Sequence, residues 1–385
     1  MSAGKLPHYV DGAPFDPQIG ERLAPELERY YLSSQWRMMW LKLRRHRLAV
    51  ISGVVLLLLY ASILVSEILA PYGPNTRHTT HIYAPPQAMH LFHEGNFVGP
   101  FVYGLDYRLD METLKRVYTP NPAKVERLRF FCAGDPYAFW GLIDASFHLA
   151  CPAQGGTLFL LGTDRLGRDM LSRLIYGARI SLTIGLVGIT VAFVLGIVLG
   201  GIAGFYGGWA DAAITRAIEV IRSFPKLPLF MALAAALPPW LGPLWVYFGI
   251  TVILGLVDWT GLARAVRAKL LALREEDFCT AAVLMGAKPR RIIGRHLLPS
   301  FMSHLIAVAT LHIPEMILAE TALSFLGIGL RPPVVSWGVL LIEVQNLNAV
   351  ALYPWLLVTM VPVIITVLAF NFLGDGLRDA ADPYK

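Results

Sequence analysis

Six apolar stretches of spanning length recur along the chain, and they constrain its fold more than any other feature. A helix of about 20 apolar residues crosses a hydrocarbon core of roughly 30 Å. Only 16% of the 385 residues are charged, against ~25% in typical soluble domains. The sequence therefore predicts an all-α polytopic membrane protein with about six transmembrane helices. The stretches are 48–69, 180–205, 212–237, 244–264, 301–328 and 353–373.

The third stretch is the least regular of the six. Its first half, DAAITRAIEVIRSFPKLP, is amphipathic and contains Pro225 and Pro228. Proline interrupts helical hydrogen bonding, so we expect a kinked helix that enters from the membrane interface.

Few acids fall within the apolar stretches. Each is expected near the end of a span, where it reaches water or a partner arginine at lower cost. Acids deep in the spans would instead favour the proton relay of a secondary transporter. The four candidates are Glu219, Asp258, Glu315 and Glu320.

Lysine and arginine predict the orientation, because they accumulate in cytoplasmic loops. Basic clusters precede the first span and occupy the loop 265–300, so both regions and both termini are expected in the cytoplasm. Residues 1–35 are polar and lack the pattern of a cleavable signal peptide, so the first span is expected to remain. The predicted divisions are a cytoplasmic segment with an amphipathic elbow (1–47), the first span (48–69), an extracytoplasmic, periplasmic lobe (70–179) and a five-helix core (180–385).

The predicted lobe is rich in aromatic residues and proline, as in YAPPQ and RFFCAGDPYAFWGL. Clustered aromatic rings can build a small core, which favours a folded lobe over a loose insertion. Cys132 and Cys151 both fall here. In an oxidising compartment they would form a disulfide; the alternative is two buried thiols. Cys279 is expected to stay reduced.

Glycines in the second span recur at every fourth position: Gly196, Gly200 and Gly204. This spacing places them on one helix face, where another backbone can approach closely. The repeat predicts helix packing in preference to pore lining.

The sequence lacks the motifs that usually mark several kinds of catalytic and metal chemistry. The sequence contains no GxxxxGK[ST] phosphate loop, no GxSxG elbow and no HExxH, so we expect neither ATP hydrolysis nor catalytic residues in this chain. It contains no CxxC pair or His/Cys cluster of zinc spacing, so no metal site is expected. The net charge of +6 is attributed to membrane topology, not to nucleic-acid binding.

The loop between the fourth and fifth spans contains TAAVLMGAKPRRIIGRHLLP, residues 280–299. REEDFCTAAVLM has acids in its first turn and predicts a short amphipathic helix. Gly286 is expected to end that helix, since glycine tolerates a positive φ. AKPRRIIGRHLL then begins a second helix. A helix–turn–helix knob that fits a groove on a cytoplasmic partner is expected; the alternative is a solvated basic loop.

The same segment resembles the EAA loop of ABC importer permeases, in which an E-A-A triplet, a glycine and a terminal L-P mark the coupling helix. Thr280 stands in place of the glutamate, whereas the two alanines, the glycine and the L-P match. The resemblance implies docking into an ATPase cleft. The coupling residues that it implies are Asp277, the acid that precedes Phe278, and Ala281, Ala282, Gly286, Leu298 and Pro299.

Further stretches are similar to permeases of the peptide/nickel type, specifically to the C-type subunit of dipeptide and oligopeptide importers. They are LGTDRLGRDMLSRLIYGARISL (161–182), AETALSFLGIGLRPPVVSWGVLL (319–341) and LAFNFLGDGLRDAADP (368–383). The resemblance is strong over 160–385 and says little about 71–159.

This family implies half of a channel in the bacterial inner membrane. A second related permease, two ATPases that bind ATP and Mg²⁺, surrounding lipid and an extracytoplasmic substrate-binding protein would complete the importer. The solute would be a dipeptide, oligopeptide, oligosaccharide or opine; the sequence identifies no substrate-binding residue. An ATP-independent secondary transporter or channel, and a membrane-anchored sensor, remain as alternatives.

Overall fold

The computed structural model describes residues 35–112, 115–238 and 240–381. Their helices are α1 Gln35–Arg45, α2 Arg47–Leu64, α3 Ser66–Leu69, α4 Met170–Tyr206, α5 Gly208–Ser223, α6 Lys226–Ala235, α7 Pro243–Leu273, α8 Asp277–Leu284, α9 Pro289–Arg291, α10 Leu298–Phe325, α11 Trp337–Leu341, α12 Leu347–Leu352 and α13 Met360–Ala381. A π-helical turn, Ile292–Leu297, joins α9 to α10, and 3-10 turns Ile342–Gln345 and Pro354–Thr359 precede α12 and α13.

Five helical segments of the described chain are long and apolar enough to cross a membrane. They are Arg47–Leu64, Met170–Tyr206, Pro243–Leu273, Pro289–Phe325 and Pro354–Ala381. The polytopic helical core that the sequence predicts is therefore present, but with five helices of spanning length instead of about six.

That difference lies in the predicted third span, 212–237. It consists of two helices, α5 and the shorter apolar α6, rather than one. The chain is extended at Phe224 (φ −90°, ψ 139°), and Pro225 precedes the first residue of α6. Proline lacks an amide proton, so the helix cannot continue through this point.

Several predicted boundaries shift. α4 begins at Met170, not at 180, because the Asp169 carboxylate caps it by accepting from the Ser172 amide at 2.7 Å. α7 continues to Leu273, so its last residues occupy the start of the predicted loop 265–300. The first span ends at Leu64, and the separate turn α3 follows it.

α4 and α7 pack closely along the glycine repeat. A Cβ atom at Gly196 would lie 2.6 Å from the Leu262 Cβ, and one at Gly204 would lie 2.9 Å from the Arg267 carbonyl oxygen. A Cβ at Gly200 would overlap the Ala263 carbonyl. The three glycines thus bring two backbones into contact, as the small-residue spacing predicts.

The lobe between α3 and α4 contains strands, which the sequence did not predict. β1 His90–His93, β2 Asn96–Leu109 and β3 Arg116–Arg127 form one antiparallel sheet, and β4 Arg129–Phe139 pairs with β5 Ile143–Cys151. Tyr72 and Phe159 are among its buried residues. A disulfide of 2.04 Å joins Cys132 on β4 to Cys151 on β5. Hereafter the face of the core that carries this lobe is the lobe side, and the opposite face is the knob side.

The four acids considered above do not all lie near span ends. Glu320 lies near the lobe-side end of α10, and Glu219 lies on α5. Asp258, by contrast, lies at the centre of α7. Glu315 of α10 lies near it, and Lys226 contacts both carboxylates. These two acids therefore lie in the middle part of their helices and not at the helix ends, which differs from the expectation.

Candidate coupling site

The knob, residues 274–299, joins α7 to α10. Asp277 lies in the first turn of α8, where a negative charge interacts favourably with the helix dipole. α8 ends at a tight turn in which Gly286 has φ +77°. The Gly286 amide donates to the Val283 carbonyl at 2.9 Å, and the Ala287 amide donates to the Ala282 carbonyl at 3.1 Å. Lys288 then caps the second helical segment, with Pro289 at its start.

The underside of the knob is apolar and buried against the ends of α7 and α10. Cys279 and Ala282 of α8 meet Ile292 and Leu297 of the following turns, and none of the four is more than 3% exposed. They pack with residues of the spanning helices, namely Val266, Leu270, Phe301 and Leu305. The knob is therefore packed directly against the ends of α7 and α10.

The tip of the knob, defined here as Val283, Leu284 and Met285, is apolar but uncovered. Leu284 and Met285 are 82% and 81% exposed. A basic rim of exposed side chains lies next to the tip in the sequence. Contiguous exposed apolar residues with a polar rim mark interaction surfaces. The rim residues are Lys288, Arg290, Arg291 and Arg295.

The residues implied by the EAA resemblance do not all lie at this tip. Asp277 and Ala281 are exposed on α8, whereas Ala282 is buried beneath it. Gly286 forms the turn. The two remaining residues lie at the base of the knob: Leu298 is partly buried and Pro299 is in the first turn of α10.

Sequence reasoning missed the tip residues themselves. Their signal was available, because three consecutive large apolar residues directly precede Gly286, the residue expected to end the helix. No catalytic pairing of nucleophile and base lies in the knob.

The lobe side of the core holds a different kind of site. The TDRLGRD turn winds around Asp164, whose carboxylate accepts from the Arg168 Nε at 2.6 Å and from Arg173 at 2.5 Å. Glu343 contacts Arg168 at 3.8 Å, and burial raises the pKa of Glu343 above its usual value. Burial likewise raises the pKa of Asp169, the α4 cap, to about 6. Asp164 and Glu343 are thus paired with nearby arginines, and Asp169 accepts hydrogen bonds from Ser172.

Glu320 connects two of the recognised motifs. Its fully buried carboxylate accepts hydrogen bonds from Ser181 at 3.2 Å, Ser324 at 2.8 Å and Ser336 at 2.8 Å. The Trp337 amide donates to the Ser181 hydroxyl at 3.0 Å, and its indole donates to the Leu174 carbonyl at 3.1 Å. The 161–182 and 319–341 segments are thus parts of one packed unit.

Family models match most of the membrane core. The binding-protein-dependent transport system inner membrane component matches residues 196–384, and the N-terminal TM domain of oligopeptide transport permease C matches residues 34–86.

Curated relatives match the same region. The dipeptide transport system permease protein DppC of Alkalihalophilus pseudofirmus is 40% identical over 223 residues, 58% of this chain and 71% of the relative. The oligopeptide transport system permease protein OppC of Haemophilus influenzae is 39% identical over 235 residues, 61% of this chain and 73% of the relative. A solved methionine ABC transporter, MetNI, covers 55% of this chain with a TM-score of 0.43 and 20% identity.

The motifs, the helical core and the two curated permeases agree with one another. The chain belongs to the family of binding-protein-dependent transport system inner membrane components, as a multi-pass permease subunit of an ABC transporter related to the permeases DppC and OppC.

Proposed function

We propose that this chain forms half of the translocation channel of an ATP-driven importer, paired with a second related permease. The observation that carries the proposal is the exposed apolar tip on a tightly packed base. Such a surface needs a partner that covers it. In an ABC transporter, the cleft of the ATPase subunit is the surface that would receive the tip. The alternative of an ATP-independent transporter gives no role to this tip.

In the proposed mechanism two ATPase subunits bind and hydrolyse Mg-ATP, and this chain binds no cofactor. Closure of the ATPase dimer moves the knob. Because Cys279 and Ile292 pack against the ends of α7 and α10, that movement tilts both helices and alternates the channel between its two openings. A stiff lever suffices for this role, so no catalytic group is required.

The knob is assigned to the cytoplasm. With α5 and α6 together taken as one further crossing, in the position of the predicted third span, both termini also lie there and the lobe faces the periplasm of a bacterial inner membrane. The basic residues on the knob side support this orientation. A periplasmic substrate-binding protein docks on the lobe side and delivers the solute. The relatives are named for dipeptides and oligopeptides, which supports a peptide or similar small solute here.

Two methionines of nearly equal exposure allow a matched test. Met285 at the tip is 81% exposed, and Met111 in a turn of the lobe is 78% exposed. We expect Met285→Glu to abolish recovery of ATPase subunits with the tagged, detergent-solubilised chain, because it places a charge in an apolar cleft. Met111→Glu retains them. Mass spectrometry of the purified material identifies the partners.

ATP-dependent uptake in vesicles gives the second readout. Met285→Glu is expected to lose it while the chain remains in the membrane. Equal recovery of ATPases with both variants would contradict docking at the tip. Wild-type protein that purifies alone and still moves solute would contradict the importer proposal as a whole.

A further inference from the structure

One charged cluster in the core is unlike the paired charges of the lobe side. Lys226, the first residue of α6, donates to Glu315 of α10 at 2.8 Å and contacts Asp258 of α7 at 3.0 Å. His312 lies one turn before Glu315, with its Nδ1 at 3.6 Å from that carboxylate. Three helices thus contribute to one cluster, called here the midspan cluster.

The midspan cluster lies within the apolar spanning segments of α7 and α10, away from the ends of both helices. Asp258 is at the centre of α7, roughly 22 Å from either end at 1.5 Å per residue. Lys226 reaches this depth because the helix breaks at Phe224 and Pro225, which places the start of α6 beside the middle of α7. Charges at this depth are costly when they face lipid.

The cluster is nevertheless open on one side. The side chains of Lys226 and Glu315 are 52% and 53% exposed, whereas that of Asp258 is only 4% exposed. Asp164 and Glu320 of the lobe side are, by comparison, at most 1% exposed. An exposed ion pair within a spanning segment is more stable beside water or a polar solute than beside lipid.

The charges of the midspan cluster do not cancel. Asp258 and Glu315 bring two carboxylates against the one ammonium group of Lys226, so these three side chains carry one excess negative charge. Asp258, His312 and Glu315 have the spacing of a metal site, but the Lys226 ammonium already lies against both carboxylates. A further ammonium group is the ligand that would balance the charge without removing this lysine.

We propose that the midspan cluster is a solute-contacting site within the translocation pathway, and that it attracts the ammonium group of a passing solute. The inference rests on the proposed transport function. Glu315, as the exposed carboxylate, contacts the ammonium, while Lys226 and Asp258 hold the site at this depth. An anionic solute is disfavoured at the same point.

Thiol labelling in the assembled complex tests the location and the charge together. Leu318 lies one turn beyond Glu315 and is 45% exposed. The Leu318→Cys variant is made in a Cys279→Ala background, since Cys132 and Cys151 are bridged. The probes are a trimethylammonium-bearing and a sulfonate-bearing ethyl methanethiosulfonate, each normalised to its rate with free mercaptoethanol. Leu58→Cys on α2, where Leu58 is 64% exposed, is the lipid-facing control.

We expect Leu318→Cys to react with both probes, about tenfold faster with the cationic one because a negative site concentrates cations. Adding Glu315→Gln is expected to bring this ratio close to one. Adding Glu219→Gln, an exposed acid paired with Arg216 on α5, leaves the ratio unchanged. The proposal would be overturned if Leu318→Cys were labelled as slowly as Leu58→Cys. It would also be overturned if the ratio of the two labelling rates did not change when Glu315→Gln is added.

Solute preference gives an independent readout. In vesicles with the complete importer, the uptake rate of alanyl-lysine relative to alanyl-glutamate is compared between wild type and Glu315→Gln. Any preference of the binding protein cancels in this comparison. We expect the relative rate to fall about fivefold in the variant; an unchanged ratio contradicts solute contact. Failure of wild-type uptake would instead contradict the proposed function, whatever the labelling shows.

Discussion

The lobe side and the knob side of this core differ in whether side chains that need partners find them within the chain. On the lobe side, buried polar groups find partners within the chain: Asp164 is held by two arginines, and Glu320 accepts from three serines. On the knob side, Leu284 and Met285 have no cover within the described part of the chain. The first region is complete in itself, whereas the second is built to be completed by another protein.

Disruption of the knob turn should have the largest effect. Gly286 has φ +77°, where a β-branched residue is strained by roughly 1–2 kcal/mol. Gly286→Val is expected to reduce ATP-dependent uptake at least tenfold while the membrane level of the chain is unchanged. Ala281→Trp, which adds bulk on the exposed face of α8, should act in the same way. Normal uptake in both variants would contradict a close-fitting knob.

Removal of the central acceptor of the lobe side should act on stability. Glu320→Ala leaves three buried serine hydroxyls without this acceptor. We expect the free energy of unfolding to fall by about 3 kcal/mol, measured as a lower thermal midpoint in detergent. Glu219→Ala is the control, because its side chain is 54% exposed and surface ion pairs contribute little. Equal midpoints for the two variants would contradict the comparison.

Loss of the disulfide should loosen the lobe and spare the knob. Cys132→Ser opens a loop with a sequence separation of 19, which removes about 3 kcal/mol on the chain-entropy model. Limited proteolysis should then cut the lobe faster, while recovery of ATPases stays unchanged. Maleimide applied to denatured, unreduced wild type should label Cys279 alone. Labelling of all three cysteines without reductant would disprove the bridge.

The glycine contact between α4 and α7 should give the smallest effect of the four. Gly200→Ala places a methyl group against the Ala263 carbonyl, whereas Gly201→Ala, the adjacent control, points into open space. We expect about 2 kcal/mol of destabilisation for the first, within the usual cost of overpacking. The second should be neutral or slightly stabilising, since alanine favours helix. The difference between the two thermal midpoints measures the contact.

The sequence predicted those features that depend on short-range patterns. Apolar length located five of the six predicted spans, the spacing of glycines at every fourth residue predicted a close helix contact on that face of α4, and Gly286 with Pro289 located the turn of the knob. Each of these signals lies within one continuous segment of the chain, so the sequence contains it in full.

The features that were missed depend on distant contacts. β3 is a polar strand without clear alternation, RVYTPNPAKVER, and pairing with β2 is what makes it a strand. Asp258 and Glu315 were placed near span ends because hydropathy does not report depth. Their true neighbour, Lys226, comes from a third helix and reaches them through the break at Pro225.

The exposed tip of the knob also bears on how much of this protein a cell can hold. A copy made without its partners carries uncovered leucine and methionine side chains at a membrane surface, a feature that promotes aggregation. We therefore expect surplus copies to be short-lived, so that the supply of the partner sets the abundance of the subunit, and balanced co-expression becomes a condition for its production.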